Sequence, residues 1–143
     1  MDEWKGELMQ STWTVRTTVL ITALSMLVFG VWARWDPAGF ANHAGWPNHI
    51  HFLHDAGVFQ IGIGLTLLAT LIWKDTIAVG LGGFSLTNSL HALNHAQDLH
   101  LGGNPSDPWL LSGLSLVGLI GLGLRIRQLR NPTMATETDG RRS

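Results

Sequence analysis

Charged residues punctuate this chain so sparsely that four long uncharged windows stand between them. Residues 17–33 lie between Arg16 and Arg34, 56–73 between Asp55 and Lys74, 76–97 between Asp75 and Asp98, and 108–124 between Asp107 and Arg125. As a helix, each window spans roughly 25–33 Å, about the thickness of the hydrocarbon core of a bilayer. A soluble helical bundle carries one apolar stripe per helix and charges on the opposite face. Here the first, second and fourth windows are apolar almost all round. The pattern predicts an all-α fold: a bundle of four transmembrane helices in antiparallel, up-down order.

Tryptophans mark the window edges. Trp13 precedes the first window, Trp32 and Trp35 close it, Trp73 ends the second and Trp109 opens the fourth. Amphipathic indoles settle at headgroup depth, so this placement fits spans that begin and end there. Lys74-Asp75 predicts a tight hairpin that makes the second and third spans neighbours, and Asn104-Pro105-Ser106-Asp107-Pro108 predicts a turn followed by a helix start. One side of this arrangement collects Lys5, Arg16, Lys74, Arg125, Arg127, Arg130, Arg141 and Arg142; the other holds Arg34 alone. Cationic residues concentrate on the cytoplasmic side, which predicts a plasma-membrane protein with both termini cytoplasmic. The division expected is a cytoplasmic segment at 1–16, a membrane domain at 17–125 and a disordered cytoplasmic tail at 126–143. The first window is longer than the apolar core of a secretory signal, so it is expected to be a retained span.

Composition narrows the chemistry. Nine Lys and Arg against ten Asp and Glu, in 143 residues, leave no basic stripe to neutralise phosphates, so no nucleic-acid partner is expected. The absence of Cys excludes disulfides, thiolate metal sites and covalently attached haem. What remains is histidine. His43, His49, His51, His54 and His100 fall in the outer loops, and His91 and His95 in the outer part of the third span.

At about 100° per residue the third window divides into three faces. Asn88, His91, His95 and Asp98 share one. A second, made of Ala78, Gly82, Ser85, Ser89, Ala92 and Ala96, is a small-residue stripe suited to close approach by another helix or a membrane-protein partner. The third, Val79, Leu86, Leu90 and Leu93, suits lipid. Ionisable groups facing hydrocarbon are costly, so the histidine face is expected to look toward protein or a watery cavity. On the second span Gln60 lies about 7 Å below Asp55, and on the third His91 lies about 10 Å below Asp98. Gln60 and His91 are therefore expected to meet, with His54, Asp55, His95 and Asp98 above them.

Two His at i and i+4 on one helix face form a common metal-holding pair. The predicted ligands are His91, His95 and Asp98, assisted by His54 and Asp55, with Asn88, Gln60, His51 and His49 as supporting polar groups. A nitrogen and carboxylate donor set suits a divalent transition metal, Zn, Cu, Ni or Fe. Haem b ranks below a simple metal ion, because His91 and His95 leave from the same face and cannot ligate opposite sides of one porphyrin.

The stretch His54-Asp55-Ala56-Gly57, followed by Gly62 and Gly64 in an apolar span, resembles the DoxX-like small four-helix membrane proteins. The likeness covers the layout of residues 17–125 and implies their architecture without assigning catalytic residues. Some relatives in that group are tied to quinone-linked oxidoreductases, which implies a haem- or quinone-linked redox subunit as an alternative to metal binding. A non-catalytic packing subunit of a larger membrane complex is the other alternative, through the stripe from Ala78 to Ala96.

Overall fold

The computed structural model describes residues 3–73 and 75–130, with side chains from Gln10 onward. The described residues are helical throughout and contain no strand: α1 (Glu3–Trp35), α2 (Pro37–Ala44), α3 (Ile50–Ala69), α4 (Ile77–Gln97) and α5 (Asp107–Arg130), with a short 3-10 turn at Leu99–Leu101. Among the described residues three segments are long and apolar enough to cross a membrane: Gln10–Trp35, Ile50–Ala69 and Asp107–Arg130. α4 matches them in length, but Asn88, His91, Asn94 and His95 make it the more polar helix.

The helix ends follow local chemistry. Asp36 caps α2 by accepting from the Gly39 amide at 3.0 Å, Pro37 fills the first turn, and Gly45 closes the helix in the left-handed region at φ 67°. The region expected to be an outer loop therefore contains an additional short helix and the start of α3. His49, predicted as a supporting polar group of a metal site, caps α3 instead: its Nδ1 accepts from the Phe52 amide at 3.3 Å. α3 stops at Ala69, short of the predicted window edge at Trp73, so residues 70–76 form a longer connection than the expected two-residue hairpin. At the other end α5 continues through Arg130, past the start of the expected tail at 126; residues 131–143 lie outside the described residues.

Helix pairing departs from chain order. α3 packs chiefly on α1, α4 on α5, and α1 also lies along α5, whereas α3 and α4 touch only lightly. Glycine explains the first pairing. A Cβ on Gly57 of α3 would stand 2.7 Å from the Gly30 carbonyl oxygen of α1, and one on Gly30 would stand 2.8 Å from the Gly57 oxygen. Gly64 faces Ala23 and Leu27 on the same helix, so α3 descends as α1 ascends. On the other side a Cβ on Gly118 would meet Ser85, and one on Gly121 would meet Thr18 and Leu81.

Small and hydroxylic residues share the interior with Leu53, Leu67, Leu81 and Phe84, while many other large apolar side chains face outward. Val15, Thr18, Val19, Thr22, Ala23 and Met26 form the buried stripe of α1, with Leu20, Ile21, Leu24 and Val28 exposed. The buried hydroxyls of Thr18 and Thr22 donate to carbonyls one turn earlier, at 2.8 Å to Val15 and 3.0 Å to Thr18 and Val19, which leaves no orphaned donor. On α4 the leucine face is open, from Val79 at 77% exposed to Leu90 at 59%.

Gly57→Ala is expected to separate α1 from α3 and to destabilise the protein by about 1–3 kcal/mol. Gly62→Ala, whose Cβ would meet nothing within 4 Å, should be neutral or stabilising by up to about 1 kcal/mol. Thermal melts of the two variants in detergent check the contrast.

Candidate functional site

The predicted site residues separate into two groups. Gln60 does not meet His91. It lies against Gly30 of α1, where its Oε1 is buried without a hydrogen-bond partner among the described residues. The cause is the pairing just described: the glycine face of α3, which carries Gln60, is taken by α1. His51 and Asp55 approach each other one helical turn apart at 3.5 Å, both on exposed surface, and His54 is half-buried on α3.

α4 holds the other group. Asn88 is buried and turned toward α5, where its amide donates to the Leu111 carbonyl at 2.6 Å and to Ser115 Oγ at 3.0 Å. It fixes the rotation of α4 and does not point toward the histidines' partners. The small-residue stripe splits under the same rotation: Ser85 and Ala92 are buried inside the molecule, and Ser89 and Ala96 remain exposed. One helical turn beyond Asn88 and Ala92, His91 and His95 come together with Nε2 to Nε2 at 3.0 Å and ring centroids 4.7 Å apart. The i, i+4 spacing predicted this approach.

Asp107, from the first turn of α5, completes the arrangement. Its Oδ2 lies 3.5 Å from His95 Nδ1 and accepts from the Asn104 amide at 3.0 Å. Both side chains are largely enclosed, His95 at 15% and Asp107 at 21% exposed. The result is a linear series: carboxylate, imidazole, imidazole. Asp107 favours the tautomer of His95 with the proton on Nδ1, which turns the Nε2 lone pair toward His91. Asp98, predicted as the third ligand, ends α4 and lines the cleft beside His95 without an ion pair to it. Among the described residues no group of three or more His, Asp or Glu gathers as a metal site.

Two loops close over His95. Trp46 lies between Phe52, at 5.9 Å, and His95, at 6.2 Å, with both rings close to parallel to it. Asn104 Nδ2 donates to the His43 carbonyl at 2.6 Å, and the Gly103 amide reaches the Gly45 oxygen at 3.4 Å. A cleft of ≈ 250 Å³ opens beside them, lined by Trp46, Pro47, Asn94, His95, Asp98 and Leu101. Asp107 and Trp46 are the site residues that sequence reasoning missed. The signal for Asp107 lay in the turn Asn104-Pro105-Ser106-Asp107-Pro108, which places a carboxylate at a helix start returning toward the end of α4.

Comparison with protein-family models, with curated proteins and with solved structures finds no match.

His95→Ala removes both the contact with Asp107 and the stack on Trp46. Amide exchange at Gly103 and Asn104 is expected to accelerate by roughly fivefold, as suits loss of about 1 kcal/mol of local stabilisation. Hydrogen exchange read by mass spectrometry checks it; an unchanged rate would mean that His95 does not hold the loop.

Proposed function

We propose that this chain is an integral membrane protein of four antiparallel spans with cytoplasmic termini, and that its extracytoplasmic rim binds a divalent transition metal through His91 and His95. The membrane reading is supported by the three described segments long and apolar enough to cross a bilayer and by the apolar side chains that cover the outside, Leu24, Val28, Val79, Leu86, Leu90 and Leu116 among them. The interior holds Leu53, Leu67, Leu81 and Phe84 together with Thr18, Thr22, Ser85, Asn88 and Ser115. So much exposed apolar surface is costly in water and solvated in lipid, and Asn88, bonded to Leu111 and Ser115, joins α4 to α5 there. α4, the most polar span, keeps Asn88 against α5 and its histidines at one end, and both placements limit the cost of polar groups in a bilayer.

The observation that carries the metal reading is the 3.0 Å separation of two Nε2 atoms backed by Asp107. Two imidazole nitrogens this close, one helical turn apart, would suit a divalent transition metal, Zn, Cu, Ni or Fe. Asp107 behind His95 orients the ring in the manner of a carboxylate–histidine–metal series.

A second reading is favoured by the lack of a third ligand in the described residues. In it, His91, His95 and Asp107 form a hydrogen-bonded clasp that joins α4 to the outer loops without any ligand.

Calorimetric titration of the detergent-purified protein with CuCl₂, NiCl₂ and ZnCl₂ separates the two. The metal reading expects one ion per chain, affinity lowered about 10–100-fold by Asp107→Asn, and no binding by the double variant His91→Ala/His95→Ala. An isotherm unchanged in the double variant would overturn it. Topology is read independently, since the chain has no native cysteine. In intact cells a membrane-impermeant maleimide should label Ser106→Cys and leave Ser143→Cys unlabelled; the reverse pattern would sink the orientation.

A further inference from the structure

At the end of the molecule opposite the histidines, α1, residues 70–73, Asp75 and the last turns of α5 line a cleft of ≈ 160 Å³ that includes Arg16, Thr70, Trp73, Arg125 and Gln128. A water molecule occupies about 30 Å³ of liquid, so the space admits a group of several heavy atoms. Two guanidinium groups and one carboxylate give the lining an excess of positive charge.

Arg125 is the informative residue. Its Nη1 donates to Gln128 Oε1 at 3.1 Å and its Nη2 reaches Asp75 Oδ1 at 3.4 Å. Gln128 is itself held by donating to Ser11 Oγ at 3.2 Å. Arg125 Nε is buried and has no hydrogen-bond partner among the described residues. A guanidinium offers its Nε–H and one Nη–H as a planar fork matched to two oxygens of a carboxylate or phosphate. Here the Nε prong is unmet, and the contact to Asp75 is long for a hydrogen bond. Arg16 lines the same cleft, is exposed, and makes no ion pair among the described residues. At the mouth Ile72 and Trp73 stand 79% and 64% exposed, apolar surface of the kind that settles at the boundary between headgroups and acyl chains.

We propose that this cleft binds a phosphate-bearing anion through Arg125 and Arg16. The source that fits its surroundings is the phosphodiester headgroup of an anionic phospholipid in the cytoplasmic leaflet. The choice of lipid as source rests on the membrane reading above; the phosphate chemistry of the two arginines does not. Basic clefts between helices at this level are suited to such headgroups, and free inorganic phosphate would use the same donors. Asp75 competes with the anion for Arg125. It adopts a left-handed backbone, φ 67°, which asparagine tolerates well.

The test uses the full chain in detergent and native mass spectrometry with added phosphatidylglycerol, phosphatidylcholine or sodium phosphate. Phosphatidylglycerol is expected to bind at least about tenfold more tightly than phosphatidylcholine. Arg125→Gln should erase the preference. Arg16→Gln, at an exposed position without an ion pair among the described residues, should lower it severalfold and serves as the variant that keeps the fold. Asp75→Asn should strengthen binding. Displacement of the lipid by millimolar phosphate would support the anion site with free phosphate as its source; lipid retained under the same conditions would support the headgroup. Equal retention of the two lipids together with no phosphate binding would overturn the proposal, as would phosphatidylglycerol binding unchanged in both arginine variants. Failure of the membrane reading is seen separately, in the labelling of Ser106→Cys.

Discussion

Close approach of backbones through residues without bulk is the constraint from which the rest of the molecule follows. Gly30 and Gly57 bring the backbones of α1 and α3 so close that a Cβ on either would crowd the other's carbonyl oxygen, and Gly118 and Gly121 of α5 make room for the side chains of Ser85 and Thr18. Under the membrane reading the medium is as apolar as leucine itself, so burying another leucine gains little and close packing has to supply the cohesion. The large apolar side chains are then free to face outward, as they do along α1, α4 and α5.

The same constraint sets the rotation of each helix and, through it, the position of every polar group. Because Ser85 sits on Gly118, Asn88 falls opposite Leu111 and Ser115 and is satisfied there. Further along α4 the helix carries His91 and His95 to the end of α5, where Asp107 begins the helix. The histidine pair is thus held between a buried amide that fixes α4 and a carboxylate fixed by its own turn at Asn104. A metal-binding reading and a clasp reading share this framework. They differ in what lies between two nitrogens already at ligand spacing.

Much of this was legible in the chain, and the illegible part has a common cause. Periodicity within one helix is a local property. It placed His91 beside His95, assigned Val79, Leu86, Leu90 and Leu93 to an open face, and located the apolar segments that became α1, α3 and α5. Which helices become neighbours is a property of matching surfaces on distant segments. The short link at Lys74-Asp75 pointed to α3 beside α4, yet the glycines of α3 fit α1 better, and Gln60 went with them. Asp107 was overlooked as a partner of His95 for a similar reason: it comes from a loop whose path back to α4 depends on contacts such as Asn104 with His43. The split of the small-residue stripe, with Ser85 and Ala92 inside and Ser89 and Ala96 outside, reflects a rotation that Asn88 settles and that a helical wheel leaves free.

The central place of α1 bears on how such a chain is made. α1 leaves the ribosome before α3 and α5, which both rest on it, so the platform exists before its tenants emerge. Under the membrane reading proposed above, α4 is the segment least able to partition into lipid alone, and its hydrogen-bonding companion is the helix synthesised directly after it. Delivery of α4 and α5 as one unit would then shelter Asn88 from meeting acyl chains unaccompanied.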